Sequence, residues 1–357
     1  VLLGAVSITE GEADAESVYY SVACRIANLL HLGQRPAGNP IEREVNIRVW
    51  WTLCMIDVWS STGVGLPRQM SRIDDIPLPM DEAIFRRWNR VNVQGNEFEV
   101  DLDSGSSLLA QMIKLNRILM EINDAINITV AGGANTLMEE GTVTLLSQKL
   151  DDWHLSLPAS IHDTPENLKI WASQGLGRLF VAVYLGYYHF GQLLFYQFLH
   201  EDLHSSHPNV HVYSQKCKAH AAALCAIVYA ANATPDCSVL YTMVGHILVI
   251  ASSVQIHTLL FGTDDIEISA ARKRLEGNFE ALTELRRYWP TLEVCFARLR
   301  AFHRTARSSM DTSFQMNGWM LRFLSHFARM VGDKEEKNDD GRGLNLVGLS
   351  PNGVSPC

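Results

Sequence analysis

The chain has 357 residues, 47% of them hydrophobic and 19% charged, with a formal net charge of −9 at pH 7. That length supports a large apolar core, and the composition excludes an intrinsically disordered chain. A uniformly acidic surface repels phosphate, so direct nucleic-acid binding by this chain is disfavoured.

The opening run "VLLGAVSITEGEADAE" is too short for a secretory signal, lacks a basic lead and runs into acidic residues. A start at Val1, already inside an apolar pattern, leads us to expect further sequence upstream. Val18, Val22, Ile26 and Leu29 recur at helical spacing and predict a core-facing stripe, on a helix that Gly33 ends. A second helix is expected to start after Pro40 and to run through "RVWWTLCMID". On it, Ile47, Trp50, Trp51, Cys54, Met55 and Val58 form one wide apolar face, with Asp57 at its edge. A carboxylate there must find a donor: a backbone N–H, an arginine or an indole N–H. Leu108, Met112, Leu115, Leu119, Ile122 and Ile126 predict a long helix in the middle of the chain. Leu292, Cys295, Phe296 and Leu299 repeat the pattern near its end. Strand-like alternation is scarce, so the fold class read from the sequence is all-α, a large irregular helical domain around buried apolar helices.

Breaks are expected at 65–79, 93–106 and 131–135 and around Pro158 and Pro165. Residues 1–331 read as one helical domain, and 332–357, rich in charge, Gly and Pro, as a disordered tail. The stretches 179–199 and 239–263 carry no formal charge and are long enough to span a bilayer. Gln and His interrupt both, and flanking basic residues are missing, so they are expected to be buried core helices, not membrane spans.

Few constellations suggest chemistry. His200, His204, His207 and His211 are spaced by 4, 3 and 4, which on a helix could present imidazoles to a metal. "HEDLH" also has the outer spacing of a zinc-protease motif, but Pro208 interrupts the helix before His211. The alternative to a metal site is a set of histidines at a helix C-terminus, where they complement the dipole. The acidic pairs Asp74–Asp75, Asp151–Asp152, Asp264–Asp265 and Asp339–Asp340 do not continue as D-D-x-x-D, so helix capping and first-turn charge are expected of them. The seven cysteines contain no C-x-x-C pair and read as free thiols. Nucleophile-elbow, P-loop and dinucleotide motifs are absent. No catalytic, cofactor-binding or metal-ligating residue is therefore assigned, although a helical metal-dependent enzyme using His200, His204 and His207 stays open as the alternative reading.

"RVWWTLCMID…GVGLPRQMSRIDDIPLP" resembles the signature of the fungal-specific transcription factor domain, the middle, regulatory region of fungal binuclear zinc cluster transcription factors. Arg48, Trp50, Trp51, Leu53 and Asp57 take the places of its basic, aromatic, leucine and aspartate positions. Gly65, Pro67, Asp74, Asp75 and Pro77 take those of the turn and acidic segment, with Leu66 where arginine is usual and Arg68 just beyond. "ACRIANLLHLG" (23–33), "LGYYHFGQLLFYQFL" (185–199), "KCKAHAAAL" (216–224) and "LTELRRYWPTLEVCFARLRAF" are similar to later family helices, so the likeness spans most of 1–330. The resemblance implies an all-helical nuclear regulator of RNA polymerase II transcription. It further implies DNA contact through an N-terminal six-cysteine cluster with two zinc ions, which this sequence does not include, and zinc only there. Co-regulator proteins or the transcription machinery and a homodimer are the partners it suggests; a small-molecule effector is expected from the uncharged, apolar stretches 179–199 and 239–263, which could line a pocket.

Overall fold

The computed structural model describes residues 1–70, 76–92, 107–132, 137–199, 209–308 and 318–325. The predicted tail, Asp74 and Asp75, and the break at 93–106 lie outside the described residues. Among the described residues there is no strand, and thirteen α-helices follow one another. They are α1 (Leu2–Thr9), α2 (Ala13–Leu29), α3 (Pro40–Val64), α4 (Glu82–Asn92), α5 (Leu108–Ala131), α6 (Glu140–Leu155) and α7 (Pro165–Ser173). After them come α8 (Gly177–Phe195), α9 (Val210–Ala233), α10 (Met243–Phe261), α11 (Asp265–Tyr288), α12 (Glu293–Ser308) and α13 (Gly318–Ser325).

The tryptophan helix, α3, begins and ends for local reasons. Asn39 Oδ1 accepts the Ile41 N–H at 2.8 Å, and Pro40 occupies the first turn, where its missing N–H costs nothing. Gly65 stops the helix in the left-handed region (φ 70°), which lets the Leu66 N–H return to the Ser61 carbonyl. In between, Ile47, Trp50, Trp51, Leu53 and Val58 are buried and Cys54 and Met55 are half-buried. The apolar face of α3 is therefore where the sequence places it.

The reading of α2 is corrected. Val18, Val22, Ile26 and Leu29 are exposed, at 51–67%. The buried face carries Glu16, Cys24 and Ala27 instead. Small side chains at 24 and 27 let α2 lie close against α3, a closeness the bulkier stripe would prevent. The helix also stops at Leu29, before Gly33, and the positive φ in the turn belongs to His31 (49°). Gly33 serves packing: a Cβ there would stand 2.3 Å from Ile76 Cδ1 and 3.0 Å from the Trp50 ring.

The stripe on α5 is confirmed, with Leu108, Leu115, Leu119, Ile122 and Ile126 all buried. This helix runs between α3 on one side and α8 on the other. The two uncharged stretches are α8, continued by a 3-10 turn to Leu199, and α10. Both lie inside the assembly, and α10 is buried continuously from Val244 to Thr258. It is the one described helix long and apolar enough to cross a membrane, yet 83% of that window is buried by neighbouring helices. One apolar cluster runs from Val58 through α5–α12 to Leu324, and a smaller one joins Cys24, Ala27, Trp50, Trp51, Ile76 and Ile113.

This geometry separates two substitutions that sequence periodicity treats alike. Trp51→Ala is expected to lower unfolding free energy by about 3–5 kcal/mol, whereas Val22→Ala on exposed α2 should change it by less than about 0.5 kcal/mol. Chemical denaturation of both variants checks the contrast.

Candidate functional site

The family-like stretch folds into a set of polar clamps around α3. Asp57 Oδ2 accepts the backbone N–H groups of Gln69 and Met70 at 2.7 and 2.8 Å, so it finds the backbone donors a buried carboxylate requires. Burial pushes its carboxyl up, and those two bonds and nearby Arg68 oppose the rise. Trp51 Nε1 donates to the Pro77 carbonyl at 2.9 Å, and Arg117 lies over the Trp51 ring. Arg48 Nε donates to Glu44 Oε1 at 2.7 Å, while its Nη2 donates to the Met80 carbonyl at 2.6 Å. Glu44 Oε1 also accepts the Met80 N–H at 3.1 Å. Beyond Met80, Glu82 accepts the N–H groups of Leu108 and Leu109 and the Ser107 hydroxyl, which places a carboxylate at the positive end of α5. Within the matched positions of the signature, Arg48, Trp51 and Asp57 thus hold the connection that follows α3.

A fourth clamp joins α2 to α3. Ser60 Oγ donates to Glu16 Oε2 at 3.1 Å, and Glu16 is only 8% exposed. Burial pushes the Glu16 carboxyl from 4.5 up to about 7, outweighing the hydrogen bond from Ser60 that favours the ionised form.

A second polar string lies deeper and was not found from the sequence. Trp59 of α3 stacks on His189 of α8, with ring centroids 5.7 Å apart, and donates Nε1 to Asn116 Oδ1 of α5 at 3.2 Å. His189 meets His246 of α10 edge-on at 5.3 Å. Arg298 of α12, only 2% exposed, donates Nη1 to His246 Nδ1 at 2.9 Å and Nη2 to the Phe323 carbonyl of α13. Because arginine only donates, His246 Nδ1 is the acceptor and that imidazole is neutral, with its proton on Nε2. Burial, followed by the Arg298 charge, pushes His189 down to about 3 and His246 well below its ordinary value. Arg298 itself is pushed down by burial to about 10 and is still charged at neutral pH. Among the described residues no carboxylate pairs with it, and its Nε makes no hydrogen bond. Beside Arg298 and His246 lies a cavity of about 110 Å³, bounded by the α1–α2 turn, the start of α10 and the start of α12. A signal for Arg298 did exist: it sits three residues after Cys295 and four before Phe302, on the apolar face of its helix.

The other predicted positions are scattered. His200, His204 and His207 lie outside the described residues, and His211 is exposed in the first turn of α9. Among the described residues no three His, Cys, Asp or Glu side chains converge as metal ligands. Asp264 caps α11 by accepting the Ile266 N–H, with Asp265 in the first turn, as expected. The capping expectation fails for Asp151 and Asp152, which lie inside α6, where Asp151 pairs with Lys216 at 2.7 Å. The six described cysteines are free. An open groove of about 800 Å³ between α9 and α11 is lined by both cations and carboxylates, away from the clamps and the buried string.

The clamps sit in a segment with recognised relatives: residues 1–155 match the fungal specific transcription factor domain. Over 155 residues the chain is 31% identical to "Activator of stress genes 1" of Saccharomyces cerevisiae, a similarity covering 42% of this chain and 16% of that relative. No solved structure matches. The matched segment ends at the last turn of α6, whereas the apolar cluster it contributes to continues to Leu324.

Two outcomes follow from the clamps. Asp57→Ala leaves the Gln69 and Met70 N–H groups without their acceptor, and a loss of about 2–4 kcal/mol in unfolding free energy is expected. Glu16 has a folded-state value above its unfolded one, so its contribution is fully present below about pH 4.5 and is lost as pH rises towards 7. Glu16→Gln, which keeps an acceptor for Ser60, should raise the melting temperature at pH 8, and the gain should shrink towards zero at pH 4–5. Thermal unfolding of both proteins across that range checks the sign.

Proposed function

We propose that this chain is the regulatory region of a fungal transcription factor that controls RNA polymerase II transcription in the nucleus. The observation that carries the reading is the match over residues 1–155, reinforced by its polar clamps, because Arg48, Trp51 and Asp57 each take a defined structural role. In this reading DNA contact belongs to a zinc cluster of six cysteines, which this sequence does not include, and zinc belongs only to that cluster. The net charge of −9 agrees with a division of labour in which this region meets proteins and the cluster meets phosphate. Its action is regulatory, not catalytic: the helical body holds a surface that recruits or withholds co-regulators, and an effector or a second copy of the chain biases it. Residues 1–331 act as one regulatory unit, since the core extends well past the matched segment.

The test is a fusion of the full chain to a heterologous DNA-binding domain, read on a reporter in fungal cells. Reporter output that departs from the carrier alone, in either direction, is expected, together with nuclear accumulation. A stable, nuclear fusion that leaves output unchanged would count against the reading.

A further inference from the structure

Among the described residues no carboxylate pairs with the buried Arg298, whose guanidinium lies over the Phe323 ring, 4.8 Å from its centroid. Burying a guanidinium costs several kcal/mol unless an anion and full hydrogen bonding offset it. Here two of its five N–H donors are directed at neutral acceptors, His246 Nδ1 and the Phe323 carbonyl, while Nε has no partner among the described residues. Neither acceptor carries a full negative charge. Arg298 lines the cavity of about 110 Å³, room for a few water-sized groups and therefore for a ligand of about four to six heavy atoms. Its walls are chemically mixed: Ile8, Met243 and Leu292 are apolar, and Thr242 and Thr291 bring hydroxyls.

We propose that this cavity binds a short aliphatic carboxylate, whose anionic end pairs with Arg298 and whose tail lies against Ile8, Met243 and Leu292. A planar two-oxygen anion matches a guanidinium better than it matches an ammonium. A phosphate dianion fits less well, because among the described residues Arg298 is the one cation lining the cavity and much of the wall is apolar. The occupant touches the α1–α2 turn, which lies in the matched segment, and also α10 and α12, which lie beyond it. Binding would tie the two parts together, and its regulatory purpose rests on the function proposed above, whereas the binding itself does not.

The full chain is titrated by calorimetry and thermal shift with sodium acetate, propionate and butyrate at constant ionic strength. Propanol, butanol, sodium sulfate and sodium phosphate serve as comparisons. Saturable binding of at least one carboxylate is expected, with a raised melting temperature that the alcohols and inorganic anions do not reproduce. Arg298→Met should weaken that affinity by about tenfold or more. If that variant does not fold, Ala13→Leu decides, because it fills the cavity from α2 and leaves Arg298 in place; it should abolish binding. No binding by any of the three carboxylates overturns the proposal, as does equal binding by either folded variant or equal stabilisation by sulfate or phosphate. The reporter fusion separates the two readings. Carboxylate binding in a chain whose fusion leaves output unchanged sinks the regulatory function and keeps the site, and an active fusion that binds no carboxylate does the reverse.

Discussion

The backbone around Met80 is held at both ends by one ion pair: Glu44 accepts its N–H and Arg48 donates to its carbonyl. Arg48 and Glu44 are themselves bonded across one turn of α3, so both halves of the clamp stand on one helix face. Two residues later Glu82 takes the first N–H groups of α5. The long helix that separates the α3 side of the molecule from α8 is thereby positioned by a chain of buried carboxylates running through a loop. Buried charge normally costs stability, but each of these carboxylates receives donors already oriented by backbone or by arginine. The arrangement therefore favours one path for the chain over its alternatives.

The remainder of the matched segment repeats this logic. Asp57 fixes the turn after α3, Trp51 fixes the approach to Pro77, and Glu16 with Ser60 fixes α2. Aromatic side chains supply the area, and their polar edges supply the register. Trp59 carries the same device deeper, since one edge bonds to Asn116 while its face covers His189.

How far the sequence could be read depended on how much of each helix surface is buried. For α3, α5 and α10 the apolar face is wide and its period clear, so α3 and α5 were legible as helices and 239–263, which contains α10, as a buried core helix. For α2 the apolar stripe was real but faced outward, because the packing face was chosen by size: Cys24 and Ala27 permit an approach that Val22 and Ile26 do not. Hydrophobic period alone cannot make that distinction. The tryptophan face and the need of Asp57 for a donor were legible, while the identity of that donor was not, because Gln69 and Met70 are unremarkable in sequence. Arg298, His189 and His246 were missed for a different reason. They come from three helices distant along the chain, and an arginine in a helix reads by default as solvated.

The continuity of the core across the end of the matched segment has a consequence for how such proteins evolve. A block of sequence can be exchanged freely between genes when its cut ends fall where few contacts cross. A cut after α6 here would strip α8 from α5, the helix whose buried face carries Leu115, Leu119 and Ile122. Recombination therefore cannot move the first six helices as a cassette without carrying the later helices along.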